Sequence, residues 1–211
     1  MINHTEDAYR RTKEDYEEGM AWHAQKYGRY NWEKQINQFT ALLKGNLILD
    51  VGCGTGINIS IFLEKGVHVE GLDYSQESIA YCRKYFPHVV FYEKEMRNTG
   101  FNHSRYNGVW SCASIVNFTK EDARTALLEF KRLLKQDGIL FVSVKEGVGE
   151  RLIKDLAGER YFSFYSLQEI RDIVEQVGFE VIPSEVVKDD QLTGGQSQDK
   201  PNWICICAKV I

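Results

Sequence analysis

The 211-residue sequence has little of what marks linkers, disulfide frameworks and membrane spans. It contains only 3 prolines, which favours a compact domain without a proline-rich linker. Its 5 cysteines are odd in number and lack CxxC spacing, which argues against a secreted disulfide framework and a metal site. No apolar run approaches the roughly 20 residues of a membrane span, and residues 1–20 contain no apolar signal-peptide centre. We therefore expect a cytoplasmic protein without membrane contact or bound metal.

Neither sign of charge dominates the chain. It has 26 Lys and Arg against 30 Asp and Glu, and its net charge is −4. This balance lacks the global basicity of a dedicated binder of nucleic acid or anionic membranes. The basic residues of Ala80–Lys84 and Lys131–Lys135 lie on predicted helices and are typical of solvated faces. Nucleic acid is therefore not a favoured partner.

The middle of the chain alternates short apolar runs with helical patterns. The predicted strands are Leu47–Val51, Val67–Leu72, Val89–Tyr92, Gly108–Ala113 and Ile139–Val144. The predicted helices are Ile57–Lys65, Gln76–Tyr85 and Ala123–Leu134. Strands that alternate with helices need crossover connections, so they predict a mostly parallel sheet covered on both faces. With right-handed crossovers, the simplest fold is a doubly wound α/β layer.

The two ends of the chain differ from this middle. Residues 5–43 are helical in composition, and their spacing places one stripe of side chains on a helix face. The stripe consists of Tyr9, Tyr16, Met20, His23 and Tyr27. At the other end, Leu167–Val177 predicts a helix that Gly178 ends.

The last segments predict an antiparallel hairpin. Phe179–Val187 and Trp203–Val210 have the pattern of strands, and the polar loop Lys188–Lys200 joins them without a helix. Cys205 and Cys207 alternate with isoleucines, so both thiols should face the same side as small buried hydrophobic groups. The sheet should thus end in an antiparallel pair.

The strongest local signal is the glycine-rich turn Asp50-Val51-Gly52-Cys53-Gly54-Thr55-Gly56, which follows a predicted strand and precedes a helix. Glycines bend sharply and let a ligand approach the backbone, and the helix that follows favours an anionic group at its first turn. The dinucleotide fingerprint needs G-x-G-x-x-G, but its third position here is Ile57. A Walker lysine is also absent, so triphosphate binding is poorly supported.

This turn resembles the first motif of the class I S-adenosylmethionine-dependent methyltransferases, and the resemblance extends from about Leu47 to the C-terminus. Within that family the chain is most similar to small bacterial enzymes that methylate small molecules. The resemblance implies a Rossmann-like, mostly parallel seven-stranded sheet that ends in an antiparallel hairpin. It also implies one domain, residues 1–211, with residues 1–43 as a helical lid and residues 44–211 as the cofactor-binding core.

The resemblance further implies which residues bind S-adenosylmethionine. Asp73 should accept hydrogen bonds from both ribose hydroxyls, because a carboxylate offers paired acceptors. Tyr74 should lie against the adenine, Glu95 or the Met96 backbone should contact its edge, and Tyr16 should close over the cofactor. The full expected set is Asp50, Gly52, Cys53, Gly54, Gly56, Asp73, Tyr74, Glu95, Met96, Cys112 and Tyr16.

The residues that contact the methyl acceptor are less constrained by the sequence. The candidate catalytic residues are His23, Lys145 and Glu146. Alternatively, His23 belongs to a stripe that only packs on the sheet, and Lys145 and Glu146 are solvated charges at a strand end. Asn117 stands where close relatives often have His, and asparagine cannot act as a base near neutral pH. The aromatic run Tyr161–Tyr165 could line a pocket for a flat or apolar acceptor.

The sequence therefore favours transfer of a methyl group from S-adenosylmethionine to a small molecule. The chain lacks the (Asn/Asp)-Pro-Pro-aromatic run used by many enzymes that methylate bases or glutamine. Two other functions stay open: a non-catalytic S-adenosylmethionine-binding regulatory protein, and, with less support, a nicotinamide-dependent oxidoreductase. We expect a monomer or a homodimer.

Overall fold

The computed structural model describes residues 4–19, 22, 25, 28, 30–154, 159–182, 184–194 and 200–211. His23, Met20 and Tyr27, three members of the expected N-terminal stripe, lie outside the described residues. The helices are α1 (His4–Glu18), α2 (Glu33–Leu42), α3 (Ile57–Glu64), α4 (Gln76–Tyr85), α5 (Lys120–Leu133), α6 (Leu167–Val177) and α7 (Asp189–Thr193). The strands are β1 (Leu47–Val51), β2 (His68–Asp73), β3 (Val90–Glu93), β4 (Tyr106–Cys112), β5 (Leu134–Glu146), β6 (Glu150–Lys154), β7 (Glu159–Tyr165), β8 (Phe179–Val181), β9 (Glu185–Val187) and β10 (Trp203–Val210).

The sheet has the strand order β3-β2-β1-β4-β5-β10-β8. The first five strands of that order are parallel. Helices α3, α4 and α5 connect β1 to β2, β2 to β3 and β4 to β5, whereas β3 and β4 are joined without a helix. Strand β10 runs antiparallel to β5, with Ile206 opposite Val142, and antiparallel to β8 and β9. The expected α/β sheet, mostly parallel with antiparallel strands at its end, is confirmed.

Local sequence explains where several helices begin and end. Ser75, Thr119 and Ser166 each accept a backbone N–H with the side-chain oxygen, and so cap the first turns of α4, α5 and α6. Gly178 ends α6 in the left-handed conformation, with φ of 100°. These signals are short-range, so the observed ends agree with the predicted ones to within a few residues.

Two features at the C-terminal half differ from the sequence-based expectation. The expected strand Phe179–Val187 is divided into β8 and β9, and the expected loop Lys188–Lys200 contains the short helix α7. A further hairpin, β6 with β7, follows β5, and β7 joins the sheet parallel to the end of β5. Its strands carry many charged residues, and their pairing depends on contacts with α1 and β5 that are distant in sequence.

The core lies between the sheet and its helices and is rich in aromatic rings. The Trp110 ring stacks on Phe141 with centroids 3.7 Å apart, and Phe39 and Phe62 meet its edge at 5.3 Å. Cys205 and Cys207 are buried on β10, as expected for small hydrophobic groups. Within the described residues, no helix combines the length and apolar character that crossing a bilayer would require.

Candidate functional site

The carboxyl ends of the parallel strands open into a cleft of about 400 Å³. This is the position at which open α/β sheets bind ligands. The glycine turn after β1, the ends of β2 and β4, and helix α1 all contribute to its walls. Of the expected cofactor-binding residues, those that line the cleft are Tyr16, Gly52, Cys53, Gly54, Asp73, Tyr74, Met96 and Cys112.

The glycine turn adopts a backbone that other residues rarely tolerate. Gly52, Gly54 and Gly56 have φ of 70°, 51° and 71°. A Cβ at Gly52 would stand 2.4 Å from the Cβ of Ser114, whereas one at Gly54 would meet no protein atom within 4 Å. The turn is therefore packed from below at Gly52 and open at Gly54, where a ligand can approach the backbone.

Asp73 connects the glycine turn to the end of β2. Its Oδ2 accepts the Gly54 N–H at 2.9 Å and its Oδ1 accepts the Ser75 N–H at 2.9 Å. Burial raises the pKa of this carboxyl, and the backbone N–H groups act in the opposite direction. Each oxygen keeps acceptor capacity beyond these bonds, and the side chain lines the cleft.

Asp50 lies at the end of β1, below the cleft rather than in its lining. The side chain is 2% exposed, and its Oδ2 has no hydrogen-bond partner in the described part of the chain. Burial, together with the nearby Asp73 charge, raises the Asp50 pKa to about 8. A buried carboxylate oxygen without a donor is costly unless a ligand satisfies it.

Asn58 is a site residue that the sequence reasoning missed. It is 6% exposed in the first turn of α3, lines the cleft, and its Oδ1 also has no partner among the described residues. The available signal was a polar side chain in an otherwise apolar helix, directly after the glycine turn. Cys112 lies nearby, and burial raises its thiol pKa well above the usual value.

Of the two residues expected to act in the loop after β3, one lines the cleft. Met96 is 6% exposed and lines the cleft. Glu95 does not line it, because its carboxylate accepts from Arg97 Nη2 at 2.6 Å and from the Arg97 backbone N–H. Tyr74, at the end of β2, is largely buried, and this burial raises the pKa of its phenol.

Cys53 and Gly56 support the turn from behind. The Cys53 thiol is buried beside Cys82 of α4, and the contact with Cys82, followed by burial, raises the Cys53 pKa well above its usual value. Cys82 Sγ donates to the carbonyl oxygen of Gly54 at 3.2 Å. A Cβ at Gly56 would stand 2.8 Å from the Phe86 ring, so this glycine permits close packing rather than ligand contact.

Helix α1 forms one wall of the cleft. Tyr16 donates to Asn117 Oδ1 at 3.3 Å, and Tyr9 donates to Asp122 Oδ2 at 2.5 Å. The Asp15–Arg160 ion pair, 3.1 Å long with both side chains at most 3% exposed, connects α1 to β7. Tyr16, expected to close over the cofactor, lies in the part of α1 that lines the cleft.

Of the two candidate catalytic residues at the end of β5, only one lines the cleft. Lys145 lines the cleft, donates to Asp189 Oδ1 at 2.6 Å, and lies 3.8 Å from the centroid of the Trp203 ring. Glu146 lies outside the lining and accepts from Asn202 Nδ2 at 2.7 Å. Lys145 is therefore the one of the two that can touch a ligand in the cleft.

The aromatic run on β7 alternates between the cleft and the protein interior. Phe162 and Phe164 line the cleft, whereas Tyr161 and Tyr165 do not. Arg160, which sequence reasoning did not select, also lines it at 3% exposure. Its partner Asp15 is 145 positions away in the chain, so no local pattern could identify the pair. Among the described residues, no cluster of His, Cys, Asp and Glu could hold a metal ion.

Comparison with known sequences gives a consistent set of matches. Residues 48–138 match the family model described as a methyltransferase domain. The chain is 35% identical over 120 residues to YqeM of Bacillus subtilis (strain 168), a provisionally assigned methyltransferase, in a match that covers 54% of this chain and 47% of that protein. It is 33% identical over 96 residues to a demethylmenaquinone methyltransferase of Chlorobaculum parvum, in a match that covers 45% and 39% of the two chains. The chain thus spans less than half the length of these curated relatives.

Comparison with solved structures supports the same fold over a longer segment. The 1,6-didemethyltoxoflavin-N1-methyltransferase of Burkholderia thailandensis, solved with bound 1,6-didemethyltoxoflavin and S-adenosylhomocysteine, has a TM-score of 0.78. That match covers 100% of this chain and 92% of the other, at 16% identity. At this identity the likeness shows the fold alone.

Proposed function

We propose that the chain binds S-adenosylmethionine in the cleft and transfers its methyl group to a small molecule, because residues 48–138 match a methyltransferase domain and the glycine turn resembles the class I motif. The observation that carries the proposal is the glycine turn with two buried oxygens beside it, Asp50 Oδ2 and Asn58 Oδ1, for which the described residues supply no donor. The matched relatives are methyltransferases by name, and their agreement supports this reading.

The residues present fit this cofactor. Its amino-acid end carries an ammonium group, and two nearby oxygens without donors in the described chain could accept from it: Asn58 Oδ1 in the lining and Asp50 Oδ2 below it. Gly54 offers open backbone, and Asp73 offers its remaining lone pairs to a ribose diol. Tyr74 and Met96 line the same cleft, which supports the adenine-binding roles that the sequence resemblance implies.

The chemistry that the bound cofactor supplies is a methyl group attached to a positively charged sulfur. The chain must hold the acceptor close and in line, and such positioning can supply on the order of 7–11 kcal/mol. Helix α1 and several aromatic side chains line the cleft around that region. Asn117 holds α1 through Tyr16 and cannot remove a proton from the acceptor near neutral pH.

A small molecule is the favoured acceptor because of the size and cover of the cleft. Its volume of about 400 Å³ lies within the range of ligand pockets, roughly 300–1,000 Å³. The net charge of −4 gives no general attraction for a nucleic acid. Both points support a small acceptor over a macromolecule.

Calorimetry with S-adenosylhomocysteine, the product of the transfer, tests the cofactor site. We expect binding to the unaltered protein, and a loss of about 1–3 kcal/mol in Asp73→Ala through the removed charge-assisted hydrogen bonds. Asp172→Ala, an exposed aspartate on α6, is the matched control and should bind normally. Failure of the unaltered protein to bind would overturn the proposal.

Turnover separates the enzyme from a binding-only protein. The protein is incubated with S-adenosylmethionine and panels of phenols, thiols, amines and carboxylates, and release of S-adenosylhomocysteine is measured. Release above the level without acceptor supports methyl transfer. Tight binding of the cofactor with no release on any panel would instead favour the non-catalytic regulatory role.

A further inference from the structure

The half of the cleft away from the glycine turn is built mainly from aromatic rings. Its lining includes Tyr30, Trp32, Phe118, Phe162, Phe164 and Trp203. The ring planes of Tyr30 and Trp32 are nearly parallel, with an angle of 12° between them. Trp203 packs edge-on against Trp32 with ring centroids 5.6 Å apart. Aromatic walls of this kind favour flat, conjugated molecules over flexible aliphatic ones.

The charged groups in this half of the cleft are arranged asymmetrically. Lys145 and Arg160 line the cleft, whereas the side chains of their carboxylate partners, Asp189 and Asp15, are both 2% exposed and do not line it. The Lys145–Asp189 distance is 2.6 Å and the Arg160–Asp15 distance is 3.1 Å. Each pair therefore presents its positive end to the cleft and keeps its negative end behind it.

Further contacts fix Asp189 and the two cations in place. Asp189 accepts from Trp203 Nε1 at 2.8 Å and from the Tyr30 hydroxyl at 3.1 Å, so donors surround it. Lys145 itself also donates to the carbonyl oxygen of Pro201 at 3.0 Å. Arg160 lies 5.5 Å from the centroid of the Phe162 ring. Both cations are thus fixed beside aromatic rings at low solvent exposure, where an added anionic oxygen would be weakly screened.

We propose that the acceptor is a planar aromatic compound that carries an anionic oxygen, and that Lys145 and Arg160 recognise this oxygen. The inference rests on the proposed function, because it names the acceptor class for the same cleft. The only carboxylate in the described lining, Asp73, lies at the glycine-turn end and does not repel an anion at the other end. Where the ionised oxygen is itself the methylated atom, the acceptor has no proton to lose, which agrees with the asparagine at position 117.

Binding to the protein saturated with S-adenosylhomocysteine tests the acceptor class. The probes are salicylate, its neutral amide salicylamide, and the non-planar anion cyclohexanecarboxylate, each titrated by calorimetry at neutral pH. A second arm compares 4-nitrophenol at mildly alkaline pH, where it is ionised, with neutral 4-nitroanisole, and so separates carboxylate from phenolate recognition. We expect at least one planar anion to bind about tenfold more tightly than its neutral counterpart and than cyclohexanecarboxylate.

Charge-neutralised pairs test the two cations without leaving a buried carboxylate unpaired. In Lys145→Gln/Asp189→Asn or Arg160→Gln/Asp15→Asn, the preference for the anion should fall to about twofold or less in at least one variant. Lys44→Gln/Asp137→Asn removes an exposed ion pair outside the cleft and should leave the preference unchanged. Binding of S-adenosylhomocysteine and the urea-unfolding midpoint are measured on every variant to confirm the fold.

The outcomes separate this inference from the proposed function. If S-adenosylhomocysteine binds but no planar anion is preferred, the acceptor class is wrong and the cofactor assignment stands. If the anion is preferred equally in both charge-neutralised variants, recognition by Lys145 and Arg160 is wrong. If S-adenosylhomocysteine itself does not bind, the proposed function fails and the inference fails with it.

Discussion

Asp50 illustrates a conflict between function and stability at a single residue. Its carboxyl is buried with an oxygen that no described donor satisfies, and its pKa is raised to about 8. An ordinary apolar residue would cost less free energy in the empty protein. The same carboxylate is favourable only when a cation reaches it, which is what the proposed cofactor would supply.

The pH dependence of stability should change in Asp50→Asn. Between about pH 4 and pH 8 the folded carboxyl holds a proton that the unfolded one has lost, so the free energy of unfolding falls as pH rises. Between pH 5 and pH 8, the free energy of unfolding of the unaltered protein should therefore fall by about 3–4 kcal/mol through this residue. In Asp50→Asn this fall should be absent. Urea denaturation at both pH values measures this difference. Asp190→Asn, an exposed aspartate on α7, is the control, and equal pH profiles for all three proteins would contradict the assigned burial effect.

Gly54 and Gly66 allow backbone strain to be separated from ligand contact. Both have positive φ, 51° and 71°, and an added Cβ at either would meet no protein atom within 4 Å. Gly54→Ala and Gly66→Ala should each lose about 1–2 kcal/mol of stability through strain. Only Gly54 lines the cleft, so calorimetry should show weaker binding of S-adenosylhomocysteine in Gly54→Ala alone. Equal affinities in the two variants would place the cofactor away from the turn.

At the scale of the element, α1 and the β6–β7 hairpin depend on each other. Thr12 Oγ accepts the Tyr161 N–H at 3.1 Å, and Arg11 pairs with Glu159 at 2.6 Å. The buried Asp15–Arg160 pair lies about one turn further along the helix. The helical pattern of α1 was readable from the sequence, but the hairpin on which it packs was not. The hairpin strands contain charged residues that also suit a surface loop.

Removal of the buried ion pair should loosen α1. Asp15→Asn leaves Arg160 without its carboxylate, and breaking a buried pair typically costs about 3–5 kcal/mol. We expect faster hydrogen exchange of the α1 amides, measured by mass spectrometry, while the β1 and β4 amides stay protected. Arg10→Gln breaks only exposed pairs with Asp7 and Glu14 and should change exchange little. Unchanged protection of α1 in Asp15→Asn would show that other contacts hold the helix.

At the scale of the whole molecule, one half of the cleft lies in the segment that matches the methyltransferase family model, and the other half lies outside it. The glycine turn, Asp73 and Met96 lie within residues 48–138, the segment that matches the methyltransferase family. Helix α1, Lys145, the β6–β7 hairpin and Trp203 lie outside that segment. The matched relatives therefore inform the cofactor half, and the acceptor half must be read from this chain's own residues.

Ligand-induced stabilisation distinguishes the cofactor classes. A ligand at 100 times its Kd should raise the free energy of unfolding by about 2.7 kcal/mol, which for a chain of this size is a Tm increase of about 5–10 °C. We expect this increase with S-adenosylhomocysteine and no increase with NADH, measured by differential scanning calorimetry. Stabilisation by NADH alone would favour the nicotinamide-dependent oxidoreductase.

The sequence by itself determined the order of helices and strands from β1 to β5, the mostly parallel sheet and the position of the glycine turn. These features follow from periodicity, helix caps and glycine spacing, which act over a few residues and can be read locally. Only the tertiary structure decided that Lys145 and not Glu146 faces the cleft, that Arg160 joins it, and that Asn58 lies beside the turn. Burial and ion pairing select these side chains, and their partners Asp189 and Asp15 lie 44 and 145 positions away, beyond the reach of any local pattern.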